Sequence, residues 1–219
     1  YIERFPKTFF ASDKKQWVQT LIHYSKNIAK AVCDENKKVI VDSSKEITRA
    51  LFLIRFVPNS KVIHLIRHPV SILQSDYYRL KNGKGFKFLR KRYYPKRFIA
   101  PFIILNCINW IIGNILCEIV RLYGKNQVLR VKYENLIEEP IKEIERIEKM
   151  TGLQLTTIKV RILNKEYFEI GHNIGGNQMR MAGTFLFDPK KSKRKGLPKK
   201  YIFIVYLICW PLLILYNYR

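Results

Sequence analysis

The sequence is short of acid and short of cysteine. Seventeen Asp and Glu stand against 41 Lys and Arg, a formal net charge of +24 over 219 residues. Such a surface attracts anions: nucleic acid, an acidic membrane surface, a phosphorylated cofactor or a sulfated glycan. Charge alone does not choose among these. The four cysteines, Cys33, Cys107, Cys117 and Cys209, form no CxxC pair and no Cys/His cluster at zinc spacing. That excludes a zinc centre of this kind, and they read as buried or partly buried thiols. There is no internal repeat. What is abundant is apolar: 47% hydrophobic and 13% aromatic residues. That composition folds rather than staying disordered, and the length suffices for one α/β domain with a real core.

The apolar spacing predicts the elements. Trp17, Leu21, Tyr24, Ile28 and Val32 recur every three or four residues, a helical pattern over 13–35. "KKVIVDSS" (37–44) reads as a short buried strand and "KEITRALFLIRF" (45–56) as a helix, broken by Pro58-Asn59. "KVIHLIR" (61–67) reads as a second strand, with Pro69 suited to the first turn of a following helix. "QVLRVKYENL" (127–136) begins as a third strand. Residues 138–153 form an amphipathic helix closed by Gly152. Three buried strands separated by helices imply an α/β fold with a parallel sheet, whose ligands sit outside the carboxyl ends of the strands.

Two uncharged stretches, 98–117 and 201–218, are long enough to cross a membrane. Pro101, Asn106, Asn109, Gly113, Asn114 and Pro211 within them favour core helices of a basic soluble protein. A helix lying in the membrane interface is the alternative. Basic residues cluster twice: nine Lys/Arg without an acid from Arg79 to Arg97, and seven in 189–200. They read either as solvated loops or as capture sites for an anionic acceptor or lipid surface.

Polar clusters close the strands. Asp42-Ser43-Ser44-Lys45 ends the first. Arg67 ends the second and is followed by Ser75. A third cluster, "GHNIGGNQMR" (171–180), is a glycine-rich loop. Arginine supplies a planar fork of donors and lysine a point charge, the chemistry of a phosphate site. Ser75 shares a helical face with Ser71, and the helix start adds partial positive charge.

"VIVDSSK", "KVIHLIRHPVSILQS", "LRVKYENLIEEP" and "GHNIGGNQMR", in this order and spacing, resemble the sulfotransferase family, especially its bacterial and carbohydrate-type enzymes. The resemblance covers about Val39 to the end of the chain. It implies a P-loop-NTPase-like sulfotransferase fold and 3′-phosphoadenosine 5′-phosphosulfate (PAPS) as cofactor. It also implies transfer of a sulfuryl group to a hydroxyl or amine of a carbohydrate or glycolipid acceptor. Arg67 and Ser75 correspond to the pair that grips the 3′-phosphate, and Asn177 and Arg180 to a loop near the cofactor. "YENL", which begins at Tyr133, resembles the family's strand-to-helix segment. Trp110 and Asn114 resemble its preceding helix, and "WPLLILYNY" its terminal packed helix.

The chain departs from the family pattern twice. His68 stands where the family has an aspartate, and reads as a tolerated substitution at the strand edge. No glycine- and serine-rich phosphosulfate loop lies ahead of Asp42. The expectation is therefore the C-terminal part of a single sulfotransferase domain over 1–219, with an N-terminal strand, loop and helix preceding Tyr1. Asp42 is the candidate catalytic base, its structural alternative being a carboxylate that holds the Ser43/Ser44 loop or pairs with Lys45. Lys45 and Ser44 are candidates for contacting the cofactor's phosphates, with Lys45 also the candidate catalytic cation. His172 either touches acceptor or cofactor or packs within its loop. The expected setting is the cytoplasm, with peripheral membrane contact as an extension. Two other readings stay open: a basic nucleic-acid-binding module, and an inactive or membrane-docking sulfotransferase remnant.

Overall fold

The computed structural model describes residues 19, 20, 22–24, 27, 39–43, 45–81, 99–169, 183–188 and 196–218. Residues 19, 20, 22–24 and 27 are helical, within the helix expected over 13–35. Helix α1 (Ile47–Phe56) buries Phe52. It ends where Ser60 Oγ and the Val57 N–H both donate to the Leu53 carbonyl. Strand β1 (Val62–Ile66) follows, then α2 (Pro69–Lys81), with proline at its first position as the sequence predicts. The long α3 (Ile99–Gly124) leads through a short 3₁₀ turn into β2 (Val128–Lys132).

β1 and β2 are parallel and in register from Val62 opposite Val128 to Ile66 opposite Lys132. The helical connection between them is what a parallel pair requires. After β2 come α4 (Tyr133–Glu138) and α5 (Pro140–Thr151), the latter starting on a proline. Gly152, at φ 74°, closes α5 in the left-handed region, as expected of a glycine after a helix. Next is α6 (Thr156–Leu163). A small antiparallel pair, β3 (Tyr167–Glu169) and β4 (Thr184–Leu186), and the final α7 (Lys199–Leu215) complete the described chain.

The main core lies between α2, α3 and α7. Leu73, Ile103, Cys107, Tyr201, Val205, Cys209 and Leu213 are buried there together. Ile66, Leu212 and Tyr216 join α7 to the sheet. Cys107 and Cys209 are thus packing thiols, and Cys117 is half-buried, as the sequence suggests.

Two expectations are corrected. The segment 39–43 is not a strand, and Val39, Ile40 and Val41 are 48, 49 and 85% exposed. A strand forms only where a neighbour supplies its hydrogen bonds. Among the described residues the parallel sheet has two strands rather than three, and β1 pairs only with β2. For the same reason β1 is buried on one face: His64 and Ile66 point inward, while Ile63 and Leu65 are 44 and 51% exposed. The two uncharged segments do form helices with buried stripes, but each leaves an apolar face outside the core.

Candidate functional site

The carboxyl ends of β1 and β2 meet the start of α2, and the polar residues gather there. Arg67 follows β1 directly. Its guanidinium carbon lies 4.5 Å from the centre of the Tyr133 ring, the residue that follows β2. Its carbonyl accepts a hydrogen bond from Trp110 Nε1 at 3.1 Å. Arginine favours an aromatic face because the ring's π-cloud attracts a weakly hydrated cation. Arg67 Nε is buried and has no hydrogen-bond partner among the described residues. A buried donor left unmade is costly, so this atom marks a place for an acceptor.

His68 shapes the next turn. Its Nδ1 accepts from the Val70 N–H at 3.2 Å, and its carbonyl accepts from the Ser71 and Ile72 N–H groups. The imidazole therefore caps α2, the task a carboxylate performs at many helix starts. Its backbone N–H donates to Glu134 Oε1 at 2.9 Å, and the Tyr218 hydroxyl donates to Glu134 Oε2 at 2.8 Å. Burial holds the His68 imidazole below its usual pKa, against the pull of Glu134. Burial and the Glu134 bond push the Tyr218 phenol above the tyrosine range, so it stays a donor. Ser75 lies on α2, eight residues beyond Arg67, half-buried.

A second network fixes the sheet against α3. His64 Nε2 is 3.0 Å from Asn114 Oδ1, and Asn114 Nδ2 donates to the Trp110 carbonyl. Glu118 pairs with Arg121 at 2.7 Å and Arg130 at 2.6 Å, and Arg130 lies 4.7 Å from the Tyr216 ring centre. Burial lowers the His64 pKa, opposed by Asn114 and the Glu118 charge. Beside it, a cleft of about 310 Å³ is lined by Arg121, Arg130, Lys132 and Arg146, with Val128 and Asn135. Most of that charge is engaged: Arg146 pairs with Glu143, and Lys132 Nζ donates to the Asn217 carbonyl.

Arg67 directly follows β1, and Ser75 stands in the second turn of α2. Asp42 and Lys45 lie elsewhere along the chain, ahead of α1. Asp42 pairs with Arg49 of α1 and is exposed, as are Ser43 and Lys45. Lys45 has φ 63°, a left-handed conformation that reverses the chain into α1. Ser44, His172, Asn177 and Arg180 lie outside the described residues. Among the described residues, no cluster of three or more His, Cys, Asp or Glu suits a metal ion. Sequence reasoning assigns no role to Glu134, Tyr218 or His64. Glu134 sits in the quoted "YENL", but only folding reveals that it joins the end of β2 to the start of α2 and to the residues that follow α7.

A model of the sulfotransferase family matches residues 4–157. A search of curated proteins found no match, and a search of solved structures found none either. The matched span contains Arg67, Ser75, both parallel strands and the Tyr133–Glu134 segment, and it covers well over half of the chain. The chain therefore belongs to the sulfotransferase family, whose chemistry is the transfer of a sulfuryl group from a donor to an acceptor.

Proposed function

We propose that the protein transfers a sulfuryl group from PAPS to a hydroxyl or amine of a carbohydrate or glycolipid acceptor in the cytoplasm. The observation that carries this reading is the Nε of Arg67, buried and without a partner among the described residues, at the carboxyl end of a parallel strand. A phosphate oxygen is the acceptor such a fork lacks. The start of α2 adds partial positive charge on the same corner.

Arg67 and Ser75 hold the 3′-phosphate, with the Tyr133 ring keeping the guanidinium in place. Asn177 and Arg180 contribute from the glycine-rich loop. Ser44 and Lys45 contact the phosphosulfate side, and the left-handed backbone at Lys45 suits a functional turn. PAPS, when bound, supplies the activated sulfuryl group. Asp42 takes the proton of the acceptor, the work of a general base, and Lys45 offsets charge that develops beside it.

Calorimetric titration with adenosine 3′,5′-bisphosphate tests the site. Arg67→Ala or Ser75→Ala should weaken binding by roughly 1.5–3 kcal/mol, about 10- to 150-fold. Unchanged affinity in both variants overturns the assignment. A second reading, a chain that binds nucleotide without turnover, is favoured by the engagement of Asp42 with Arg49. Binding without sulfuryl transfer to any sugar acceptor would select it.

A further inference from the structure

The cleft of about 310 Å³ beside β2 gathers cations that sulfuryl transfer, as proposed above, does not use. Its walls come from one continuous stretch of chain: the end of α3, then β2, α4 and α5. Arg130 and Lys132 stand two residues apart on β2 and so share one face of the strand. Arg121 of α3 and Arg146 of α5 line the cleft with them. Asn135 adds an amide and Val128 an apolar wall, and none of the described carboxylates lines it.

These four cations outnumber the carboxylates that pair with them. Glu118 is shared between Arg121 and Arg130, at 2.7 and 2.6 Å. Glu143 pairs with Arg146. Lys132 forms no ion pair among the described residues; its Nζ donates to the Asn217 carbonyl and lies 4.9 Å from the Tyr218 ring centre. Four positive charges against two negative leave an excess of two. Arg130 Nε is buried and has no hydrogen-bond partner among the described residues, which is costly unless an acceptor reaches it. Holding the helices to the sheet accounts for the pairs with Glu118 and Glu143. It does not account for the two unmatched cations, since like charges brought together repel. The Tyr216 and Tyr218 rings back Arg130 and Lys132, so the cationic groups are in place before a ligand arrives.

We infer that this cleft binds a phosphate dianion, carried as the monoester of a small molecule or free in solution. A phosphate monoester carries about −1.5 to −2 charges at neutral pH, which matches the excess. A sulfate ester is a monoanion and leaves one cation unmatched. Guanidinium forks take phosphate oxygens in pairs, and a lysine adds a point charge. A cleft lined by charge of one sign also concentrates the opposite ion. Its volume lies at the low end for small-molecule sites, which suits a ligand the size of a sugar phosphate. The cleft shares no lining residue with Arg67, Ser75 or Tyr133, so this inference stands whether or not PAPS is the donor.

The test is calorimetric titration of the chain at neutral pH with glucose 6-phosphate, glucose 6-sulfate and inorganic phosphate. Glucose 6-phosphate should bind at least about tenfold tighter than glucose 6-sulfate. Lys132→Gln and Arg146→Gln each remove one cation from the cleft, and each should weaken glucose 6-phosphate at least about tenfold. Lys142→Gln removes the same charge from an exposed pair with Glu139, outside the cleft, and should leave affinity within about twofold. Circular dichroism checks the fold of each variant. Should Arg146→Gln unfold by stranding the buried Glu143, Lys132→Gln decides, because its partner is a backbone carbonyl. Inorganic phosphate bound as tightly as the ester supports a site for free phosphate, and tighter ester binding supports a phosphorylated small molecule. Three results would overturn the inference: no phosphate binding, equal binding of the sulfate ester, or equal losses in Lys132→Gln and Lys142→Gln. A loss in Arg67→Ala that spares Lys132→Gln would put the phosphate beside Arg67 and overturn it as well.

Discussion

The Arg67 guanidinium rests on the Tyr133 ring, 4.5 Å from its centre, across the ends of two adjacent parallel strands. Each residue is the first after its strand, so the strand register itself brings them together. Tyr133→Phe keeps the aromatic face and should leave adenosine 3′,5′-bisphosphate affinity within about twofold. Tyr133→Leu removes it and should weaken binding by roughly 0.5–1 kcal/mol. Calorimetry on both variants decides, and equal affinities would show that the ring does not position the arginine.

Glu134 ties three parts of the fold through two hydrogen bonds, from the His68 N–H and the Tyr218 hydroxyl. Glu134→Ala leaves both donors without this partner and should cost about 1–3 kcal/mol of stability. Tyr218→Phe removes one bond only and should cost less. Urea unfolding of the two variants measures the difference, and a neutral Glu134→Ala would refute the role.

Stability should depend on pH in two windows. Burial keeps His64 and His68 below their usual value of 6.5, so the unfolded chain binds their protons more readily. Their contribution is complete above that value and declines as pH falls below it, by up to about 1.4 kcal/mol per pH unit for each histidine. Burial pushes Glu118 up, but the Arg121 and Arg130 bonds and charges outweigh it and bring it below 4.5. Its contribution holds above 4.5 and is lost as pH falls through its lower folded value. Urea titrations over pH should show both declines, with His64→Asn flattening the upper one. A flat upper window in the unsubstituted chain would contradict the burial of both imidazoles.

Gly124 closes α3 where space is shortest. A Cβ there would lie 2.7 Å from Val128 Cγ2 and 2.8 Å from Ile54 Cδ1. Val128 is anchored in β2 and cannot yield easily. Gly124→Ala should therefore destabilise by about 1–3 kcal/mol through overpacking, seen as a lower urea midpoint. Gly113→Ala meets nothing within 4 Å and serves as the control.

Local signals carry much of this fold. Pro69 at a helix start, Gly152 after a helix, and the β-branched runs at 62–66 and 128–132 are legible because each acts through its own backbone or nearest neighbours. The Arg67–Ser75 spacing is legible for the same reason, since strand end and helix lie on one continuous stretch. The run at 39–43 misleads because apolar, β-branched residues make a strand only when a partner edge is present, and no such pairing forms among the described residues. The apolar stretches at 98–117 and 201–218 announce helices, and the structure has helices at Ile99–Gly124 and Lys199–Leu215. Their composition does not reveal which face the core takes.

The sequence by itself determined the α/β alternation, the basic surface and the strand-end arginine, all properties of residues close together in the chain. Only the tertiary structure decided that Glu134 binds His68 and Tyr218, that His64 answers Asn114, and that two apolar stripes remain outside the core. Those relations join residues as far as 84 positions apart. Their partners are chosen by packing and by the need to satisfy buried polar groups, neither of which a local pattern contains.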